Sequence, residues 1–590
     1  MIYNNFNTSL ANLLSDVHSG RLGLPDLQRP FVWQNNKIKN LYDSLIKGFP
    51  IGYIMIWQAP STYTKTKQIG TDSKDQPIVR DIVIDGQQRL TALYATVYGK
   101  EIVNKDYKKT KIKISYNPFT KEFDNWSAST EKNKNLIPDV SEVFEAQREN
   151  RLRKFQNDFI DTLNEARSKK DEPNVSEAEA DDIDAGIRDL LNILNYQITT
   201  VNINNTTNEE DVAEIFVRVN SGGQPLTQDD FISTLLSVYD SEVRERIETF
   251  CVSSRLPQSN TSYNELIEVD MGHVIRVTAA LAFKRARLGY VYKLLRGTNL
   301  ESRQQSQELL EENLHKFRMA LNEVLNLNNW HAFLNIAKSA GFVSSKLISA
   351  SSTIVYSYAL YLIAKTEFKL SADELKTVFK AWFFSASITS FYVEKTTETV
   401  AEQQLTNIKD MKTKDEFIAF MNKSIKDRMT DDFFEVRLKN GFEESNASGP
   451  LWNGFVASQI VLGYKTLFST SSIESMFSVG ASGTKNNFDY HHLFPKHFLE
   501  QQGYSSKDYN KRANFVILDY QTNIDISDKN PKEYIKEYKD KLNSETFATT
   551  MQQNGIPEDV IELTYEQFIE KRTANIIKIV RLAYDTIKPD

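Results

Sequence analysis

The residues best suited to chemistry lie in the last quarter of the chain, where adjacent His491 and His492 are followed by Asn514 and Asn523. Residues 488–497 contain three of the seven histidines in the chain, set among aromatic and apolar residues. A neutral imidazole, with an ordinary pKa of about 6.5, can take a proton from water near pH 7. Imidazole nitrogens and amide oxygens can also ligate a divalent ion. Hydrolysis of a phosphodiester bond needs both abilities.

The order of these side chains suggests a role for each of them. We predict that His492 is the general base and that His491 ligates a metal, because successive side chains of a strand point to opposite faces. Asn514 would hold the imidazole of His492 through its amide oxygen and so fix the tautomer. Asn523 would supply a second metal contact, and Asp489 is the alternative ligand to His491. The expected ion is Mg²⁺ or Mn²⁺ rather than a tightly held zinc.

The surrounding sequence predicts the elements that position these residues. The histidine pair lies on one strand, the apolar run after Asn514 forms a second strand, and Asn523 follows in a loop. A helix then begins at Pro531, with Asn530 as its N-cap. This order of strand, strand and helix is the outline of a ββα-metal finger.

The segment resembles the HNH family of nucleases, from which it departs at two positions. Many members have Asp immediately before the base histidine, where this chain has His491 and carries Asp489 two residues earlier. Many have His at the last motif position, which is Asn523 here. The resemblance implies a nuclease finger with one metal ion.

A second motif lies near the N-terminus, where a short buried strand runs into residues 85–89 and then a helix. Gly86 allows a tight turn close to a ligand. The N-terminus of the helix and the planar fork of Arg89 suit phosphate, and Asp85 could hold a metal or a sugar hydroxyl. The phosphate-binding pattern GxxxxGK[ST] does not occur, so a P-loop site is excluded.

An upstream segment combines Gln28 and Arg29 with Trp33, which gives polar and cationic reach beside an aromatic ring. Such a combination could contact a nucleotide or a base. Taken alone, a segment such as this one or residues 85–89 is more often a turn held by a structural arginine.

The N-terminal motifs and the HNH-like end together resemble the GmrSD-type restriction family, with its BrxU and SspE relatives. The family's DGQQR motif is intact at 85–89, its QR-x-[FY]-V-W pattern matches 28–33, and its Phe-x-x-x-Asn-x-Gly-Gly-x-x-Leu pattern matches 216–226. The resemblance implies a ParB/sulfiredoxin-like α/β core that binds and hydrolyses a nucleoside triphosphate. The implied nucleotide-site residues are Asp85, Gly86, Gln87, Gln88 and Arg89, and the further nucleotide or DNA contacts are Gln28, Arg29, Trp33 and Asn220.

The function implied by this resemblance is an NTP-regulated, metal-dependent DNA endonuclease of the modification-dependent, type IV-like class, acting in anti-phage defence. Its partners would be phage or modified DNA and GTP, ATP or CTP, and the chain could act as a homodimer. The alternative is a nucleotide-binding regulator or DNA-binding protein whose HNH domain is inactive.

The whole sequence predicts a helix-rich, multidomain α+β protein, because 590 residues are too many for one core. We place a DGQQR domain at 1–238 with a charged excursion near 145–190, a helical middle at 239–440, and the nuclease domain at 441–590. No apolar run is long enough to span a bilayer, and the first residues lack the pattern of a signal peptide. With only one cysteine, Cys251, the chain is expected in the cytoplasm, without a membrane partner.

The net charge of −7 argues against a surface that binds nucleic acid everywhere, but it allows a local basic groove. A lysine cluster could be such a phosphate track or simply the solvated face of a strand and its turn. It comprises Lys100, Lys105, Lys108, Lys109, Lys111 and Lys113.

Overall fold

The fold is known from a computed structural model. It describes residues 3–25, 31–58, 66–67, 81–104, 108–207, 212, 215, 228–239, 241–393, 397–444, 446–477 and 488–589. Internal contacts divide the chain into two compact units, Met1–Arg244 and Glu245–Asp590. The chain is helix-rich and has a small mixed sheet near its N-terminus, which agrees with the predicted α+β class.

The first unit contains the strands of that sheet and two short antiparallel pairs. The strands are β1 (Tyr3–Ser9), β2 (Leu22–Pro25), β3 (Ile54–Gln58), β4 (Thr66–Lys67), β5 (Asp81–Asp85), β6 (Glu101–Val103), β7 (Lys109–Lys111), β8 (Ile114–Asn117), β9 (Glu122–Asn125) and β10 (Gln197–Ile203). The sheet has the order β1-β10-β3-β5-β2-β4, while β6 pairs with β7 and β8 with β9. β10 runs parallel to β3, and β2 parallel to β5.

The described part of the first unit also contains helices. They are α1 (Leu10–His18), α2 (Asn35–Ile46), α3 (Gln87–Tyr98), α4 (Ala128–Lys132), α5 (Val140–Arg148), α6 (Leu152–Ser168), α7 (Glu177–Asn192) and α8 (Gln228–Tyr239), with a 3₁₀ turn at Ile193–Asn195. Side chains alternate along the strands, so Ile54 and Val83 belong to a large core and Trp57 and Ile84 to a smaller one. Both central strands are therefore buried on two faces.

The second unit is mainly helical. Its helices are α9 (Ser241–Ser253, which contains the point of division), α10 (Met271–Phe283), α11 (Leu288–Leu295), α12 (Gln307–Val324), α13 (Leu327–Ser339), α14 (Ser351–Thr366), α15 (Ala372–Ile388), α16 (Thr397–Lys409), α17 (Lys414–Lys426), α18 (Lys439–Phe442), α19 (Gly449–Val461), α20 (Ile473–Phe477), α21 (Lys496–Gln501), α22 (Ser506–Tyr509), α23 (Tyr520–Ile526), α24 (Pro531–Lys541), α25 (Ser544–Gln553) and α26 (Tyr565–Ile587). A π-helical turn spans Phe433–Leu438, and 3₁₀ turns span Ser345–Leu347 and Arg512–Asn514. Strands β11 (Phe488–His492) and β12 (Phe515–Asp519) form an antiparallel pair.

Helices from both sides of residue 440 share one core in this unit. Helix α15 packs against α19 and α26, and α19 packs against α26. The approach is close, because a Cβ on Gly454 of α19 would collide with Ile388 of α15. A similar contact brings Gly341 against the backbone of Ala457. The predicted boundary at 440/441 thus falls inside one compact unit, and an independent nuclease domain at 441–590 stays a prediction.

Two further properties concern the described ranges as a whole. Within them, no helix combines the length and the apolar character needed to cross a membrane. Cys251, on α9, is fully buried, and burial raises the pKa of its thiol.

Candidate functional site

The two adjacent histidines lie at the end of β11, where the strand pairs with the start of β12. His491 is opposite Val516 and His492 is opposite Phe515. Alternation along the strand places His492 on the same face as Phe515, with their ring centroids 4.2 Å apart. His491 lies on the other face, as we predicted from the sequence.

His492 is partly buried and is held by a hydrogen bond at one ring nitrogen. Its Nε2 is 2.9 Å from Oδ1 of Asn510, and its ring meets that of Tyr509 edge-on at 6.1 Å. Burial lowers the pKa of His492 below its ordinary value. The bond to Asn510 opposes this shift, and the charge of Lys496 adds to it. The lowered pKa favours the neutral imidazole, the form that a general base requires.

Asn514 has a different contact from the one predicted. Its Oδ1 accepts the backbone N–H of Phe494 at 2.9 Å rather than the imidazole of His492. Its Nδ2 donates to the carbonyls of Phe494 and Tyr509, at 3.0 and 2.9 Å. The side chain is fully buried, so these bonds join the backbone after His492 to the loop before β12. The predicted hydrogen bond from Asn514 to the imidazole is thus corrected, because Asn510 occupies that place.

Asn510 and Lys496 were missed by sequence reasoning. Asn510 lies on the loop between the strands, 18 residues after His492. No residue pattern distinguishes it from Asn514, the other asparagine between the two strands, so only the fold identifies it. Lys496 follows the histidine pair closely in the sequence, and that proximity was a signal that could have found it.

The predicted metal ligands lie on β11 and on the helix that follows β12. Helix α23 packs against both strands and carries Asn523. The prediction of a loop at Asn523 was wrong, because Asp519 caps this helix by accepting hydrogen bonds from Thr522. Asp489 pairs with Leu518 in the strand register, and its side chain falls outside the described residues.

These donor groups suit a hard metal ion that keeps much of its hydration shell better than an ion that is enclosed by protein ligands. In the described ranges no group of three or more His, Cys, Asp or Glu side chains is placed to hold a metal ion. An imidazole from His491 and an amide oxygen from Asn523 would leave most coordination positions to water and phosphate. Mg²⁺ and Mn²⁺ accept that arrangement, whereas a structural zinc needs four protein ligands.

Residues 85–89 form the predicted turn between β5 and α3. Gly86 has φ +89° and serves as the N-cap of α3. A Cβ at this position would collide with the side chain of Ile54. The turn therefore requires glycine, and Gly86 itself has no side chain that could cap the first turn of α3.

The side chain of Arg89 forms hydrogen bonds within the protein rather than extending into solvent. Its guanidinium donates to the carbonyl of Ile51 at 2.5 Å and to Asp85 at 3.4 Å. Burial lowers the pKa of Arg89, and Asp85 opposes that shift. These bonds give Arg89 and Asp85 a role in bracing the turn, while Gln87 and Gln88 follow on α3.

The turn also holds the upstream aromatic segment. Oε1 of Gln88 accepts a hydrogen bond from the backbone N–H of Val32 at 2.9 Å. Trp33 is partly buried and packs on the large core. The structure thus brings residues 31–33 to the DGQQR turn. Gln28, Arg29 and Asn220 lie outside the described residues.

The lysine cluster lies on the β6–β7 pair and the chain beside it. Lys111 forms an ion pair of 3.1 Å with Asp139, and Lys113 lies 4.8 Å from the ring centre of Trp126. The exposed members in the described ranges are Lys100, Lys108, Lys109 and Lys111. Lys105 falls outside those ranges. Two of the lysines therefore have structural partners.

Comparison with known proteins gives two matches. Residues 10–237 match the family model described as GmrSD restriction endonuclease, N-terminal domain, and these residues include the DGQQR turn. The matched residues lie within the first unit, Met1–Arg244. The chain is also 23% identical to the uncharacterized protein MJ0686 of Methanocaldococcus jannaschii, across 97% of this chain and 98% of that protein.

Proposed function

We propose that this chain is an NTP-regulated, metal-dependent DNA endonuclease of the modification-dependent, type IV-like restriction class, acting in anti-phage defence. The observation that carries the proposal is the placement of His492, whose imidazole is held by Asn510 beside a two-strand-and-helix finger. The family match of residues 10–237 supports DNA as the substrate. The finger is then of the HNH type that the sequence resembles.

In the proposed reaction, His492 takes the proton of the water that attacks the phosphorus. Its lowered pKa keeps the acceptor nitrogen free at neutral pH. Lys496 is exposed and close enough to influence His492, so its ammonium group can attract the scissile phosphate. Asn514 keeps the backbone on both sides of the site in place.

A bound Mg²⁺ or Mn²⁺ would stabilise the charge on the departing oxygen. His491 and Asn523 would hold the ion, with Asp489 as the alternative to His491. Helix α23 packs against both paired strands, which supports this assignment. The protein itself would supply few ligands, which leaves coordination positions on the ion for phosphate oxygens.

For the first unit we propose that the N-terminus of α3 binds the phosphates of GTP, ATP or CTP. The N–H groups after Gly86 supply donors and a partial positive charge. Gln87 and Gln88 are the side chains nearest to that end of the helix, and Asp85 and Arg89 brace it. Hydrolysis of the triphosphate would regulate DNA cleavage.

The nuclease proposal is tested with purified full-length protein, Mg²⁺ or Mn²⁺, and a panel of phage DNAs with unmodified, hydroxymethylated or glucosylated cytosine. We expect His492→Ala to lower the cleavage rate by about 10²- to 10⁴-fold, the usual contribution of a general base. His497→Ala is the matched control, since His497 is exposed on α21 and bonds only Gln501 among the described residues. Undiminished cleavage by His492→Ala would remove His492 from the base role.

The regulatory proposal is tested with the same panel, with and without each triphosphate. We expect one triphosphate to change the cleavage rate and Gln88→Ala to weaken that response. If the wild-type chain binds triphosphate but cuts no DNA and binds no divalent ion, the protein is a regulator with an inactive finger.

A further inference from the structure

We propose that Asn510 is a positioning residue that fixes the tautomer of His492, so that Nδ1 is the nitrogen that accepts the proton. The inference rests on the proposed nuclease function for its kinetic consequence. Its structural part, the tautomer of one imidazole, can be measured whether or not the protein cuts DNA.

The first argument is the chemistry of the hydrogen bond. Oδ1 of Asn510 can only accept, so the Nε2 of His492, 2.9 Å away, carries the hydrogen. A neutral imidazole has a single N–H group, so Nδ1 then holds a free lone pair. In the described part of the chain, Nδ1 meets no hydrogen-bonding group, which leaves it available to a water molecule.

The second argument is that the other neighbours of His492 cannot select a tautomer. Phe515 and Tyr509 contact the ring of His492 through their own rings, which sets its plane. Ring contacts of this kind do not distinguish the two nitrogens. Asn514 is committed to the backbone of Phe494. The choice between Nδ1 and Nε2 therefore depends on Asn510.

The third argument is that the backbone carbonyls of Asn510 and of the two residues before it are all held by hydrogen bonds. Its own carbonyl accepts the N–H of Asn446 at 2.8 Å. The preceding carbonyl, of Tyr509, accepts Nδ2 of Asn514 at 2.9 Å. The carbonyl of Asp508 accepts the hydroxyl of Tyr565 at 2.6 Å. A side chain on such a fixed loop loses little conformational freedom when it orients the base.

A further bond network ties this loop to the segment before α19. The N–H of Arg512 donates to the carbonyl of Glu444 at 3.0 Å. Its guanidinium donates to the carbonyls of Gly441 and Ser448, at 2.5 and 3.1 Å. The loop that carries Asn510 is therefore fastened to the helices of the second unit as well as to the finger.

The test compares Asn510→Ala, which removes the acceptor, with Asn510→Asp, which keeps an oxygen in the same place. Asn440→Ala is the matched control, because Asn440 is exposed on α18. The spectroscopic readout is the ¹⁵N shift pair of the ring nitrogens in metal-free, full-length protein labelled at histidine. Spectra are taken at about pH 8, above the ordinary histidine pKa, and His492 is assigned from a His492→Gln spectrum.

We expect a single Nε2–H tautomer in the wild type, in Asn510→Asp and in the control, and a mixture in Asn510→Ala. Loss of the group that orients a catalytic histidine can lower kcat by up to about 10⁴-fold. For the neutral amide we expect a kcat about 10- to 100-fold lower in Asn510→Ala with an unchanged KM, and recovery to within several-fold in Asn510→Asp.

An Nδ1–H tautomer in the wild type would overturn the inference, as would a single unchanged tautomer in Asn510→Ala. Failure of the nuclease proposal has a different signature, since the protein would then cut no DNA while the tautomer still responded to Asn510→Ala.

Discussion

At the residue scale, a fully buried arginine stabilises the backbone beside the candidate site. Arg572 on α26 donates to the carbonyls of Ala513 and Phe515, each at 2.6 Å, on either side of Asn514. Burial lowers the pKa of Arg572 to about 9. A buried cation that bonds two backbone carbonyls fixes the start of β12, and with it the backbone that Asn514 joins.

We expect Arg572→Met to destabilise the protein by about 2–4 kcal/mol, because two buried carbonyls would lose their hydrogen-bond donors. The variant no longer has to bury a charge, but that gain offsets only part of the loss. Arg581→Met on the same helix is the control. Arg581 pairs at the surface with Asp431 and Glu435, so we expect a loss of about 1 kcal/mol or less. Denaturant unfolding measures both changes, and equal losses would contradict the bracing role.

His492 gives a prediction for pH dependence. Because burial and Lys496 lower its pKa, we expect metal-free protein to show a titration of His492 below pH 6.5 by NMR, so that protonation begins only in mildly acidic solution. Lys496→Gln should move this titration upward, toward the ordinary value, because it removes a nearby positive charge. A downward shift would exclude the charge of Lys496 as a cause.

The role of a residue could be predicted from the sequence only where local geometry determines that role. The opposite faces of His491 and His492 follow from strand alternation alone, so the sequence was sufficient. The partner of His492 was assigned to Asn514 instead of Asn510, because the choice depends on how the loop between the strands folds. Arg572 gave no signal, since a buried arginine at 572 and an exposed one at 581 look alike in a helix pattern.

At the element scale, the turn between β5 and α3 was predictable because its requirement is local. A buried strand, a glycine and a helix-period run follow one another, and Gly86 takes the positive φ that the turn needs. The prediction of a loop at Asn523 was wrong, because Asp519 accepts a hydrogen bond from the N–H of Thr522 and so caps a helix there. The N-cap therefore determines that Asn523 lies on a helix rather than in a loop, although Asn523 still belongs to the finger.

We expect Gly86→Ala to destabilise the first unit by about 2–4 kcal/mol, from a positive φ and a collision with Ile54. Gly48→Ala is the control, since Gly48 also has positive φ but a Cβ there would meet open space. It should cost about 1 kcal/mol. Thermal unfolding of both variants checks the difference, and similar melting temperatures would argue against close packing at the turn.

At the scale of the whole molecule, the chain divides near residue 244, close to the predicted boundary at 238/239. The predicted boundary at 440/441 rested on a Gly-, Ser- and Asn-rich stretch at 441–450, which is typical of a linker. In the structure this stretch is bonded to Arg512, and α15 and α19 pack on each other across it. Composition alone could not reveal that tertiary contact.

We therefore expect a fragment of residues 245–590 to unfold cooperatively in denaturant, because it retains the core formed by α15, α19 and α26. A fragment of residues 441–590 should expose that core and aggregate or lack cooperative unfolding. Circular dichroism and light scattering distinguish these outcomes. A cooperatively folded 441–590 fragment would establish the nuclease domain as independent.

The isolation of Cys251 inside α9 has a practical consequence. Its thiol is the only one in the sequence, is fully buried and has a raised pKa, so maleimide reagents should not react with it. Surface cysteines introduced one on each unit would then accept a fluorophore pair without prior removal of a native thiol. Energy transfer between the dyes would follow their separation in real time as triphosphate and DNA are added.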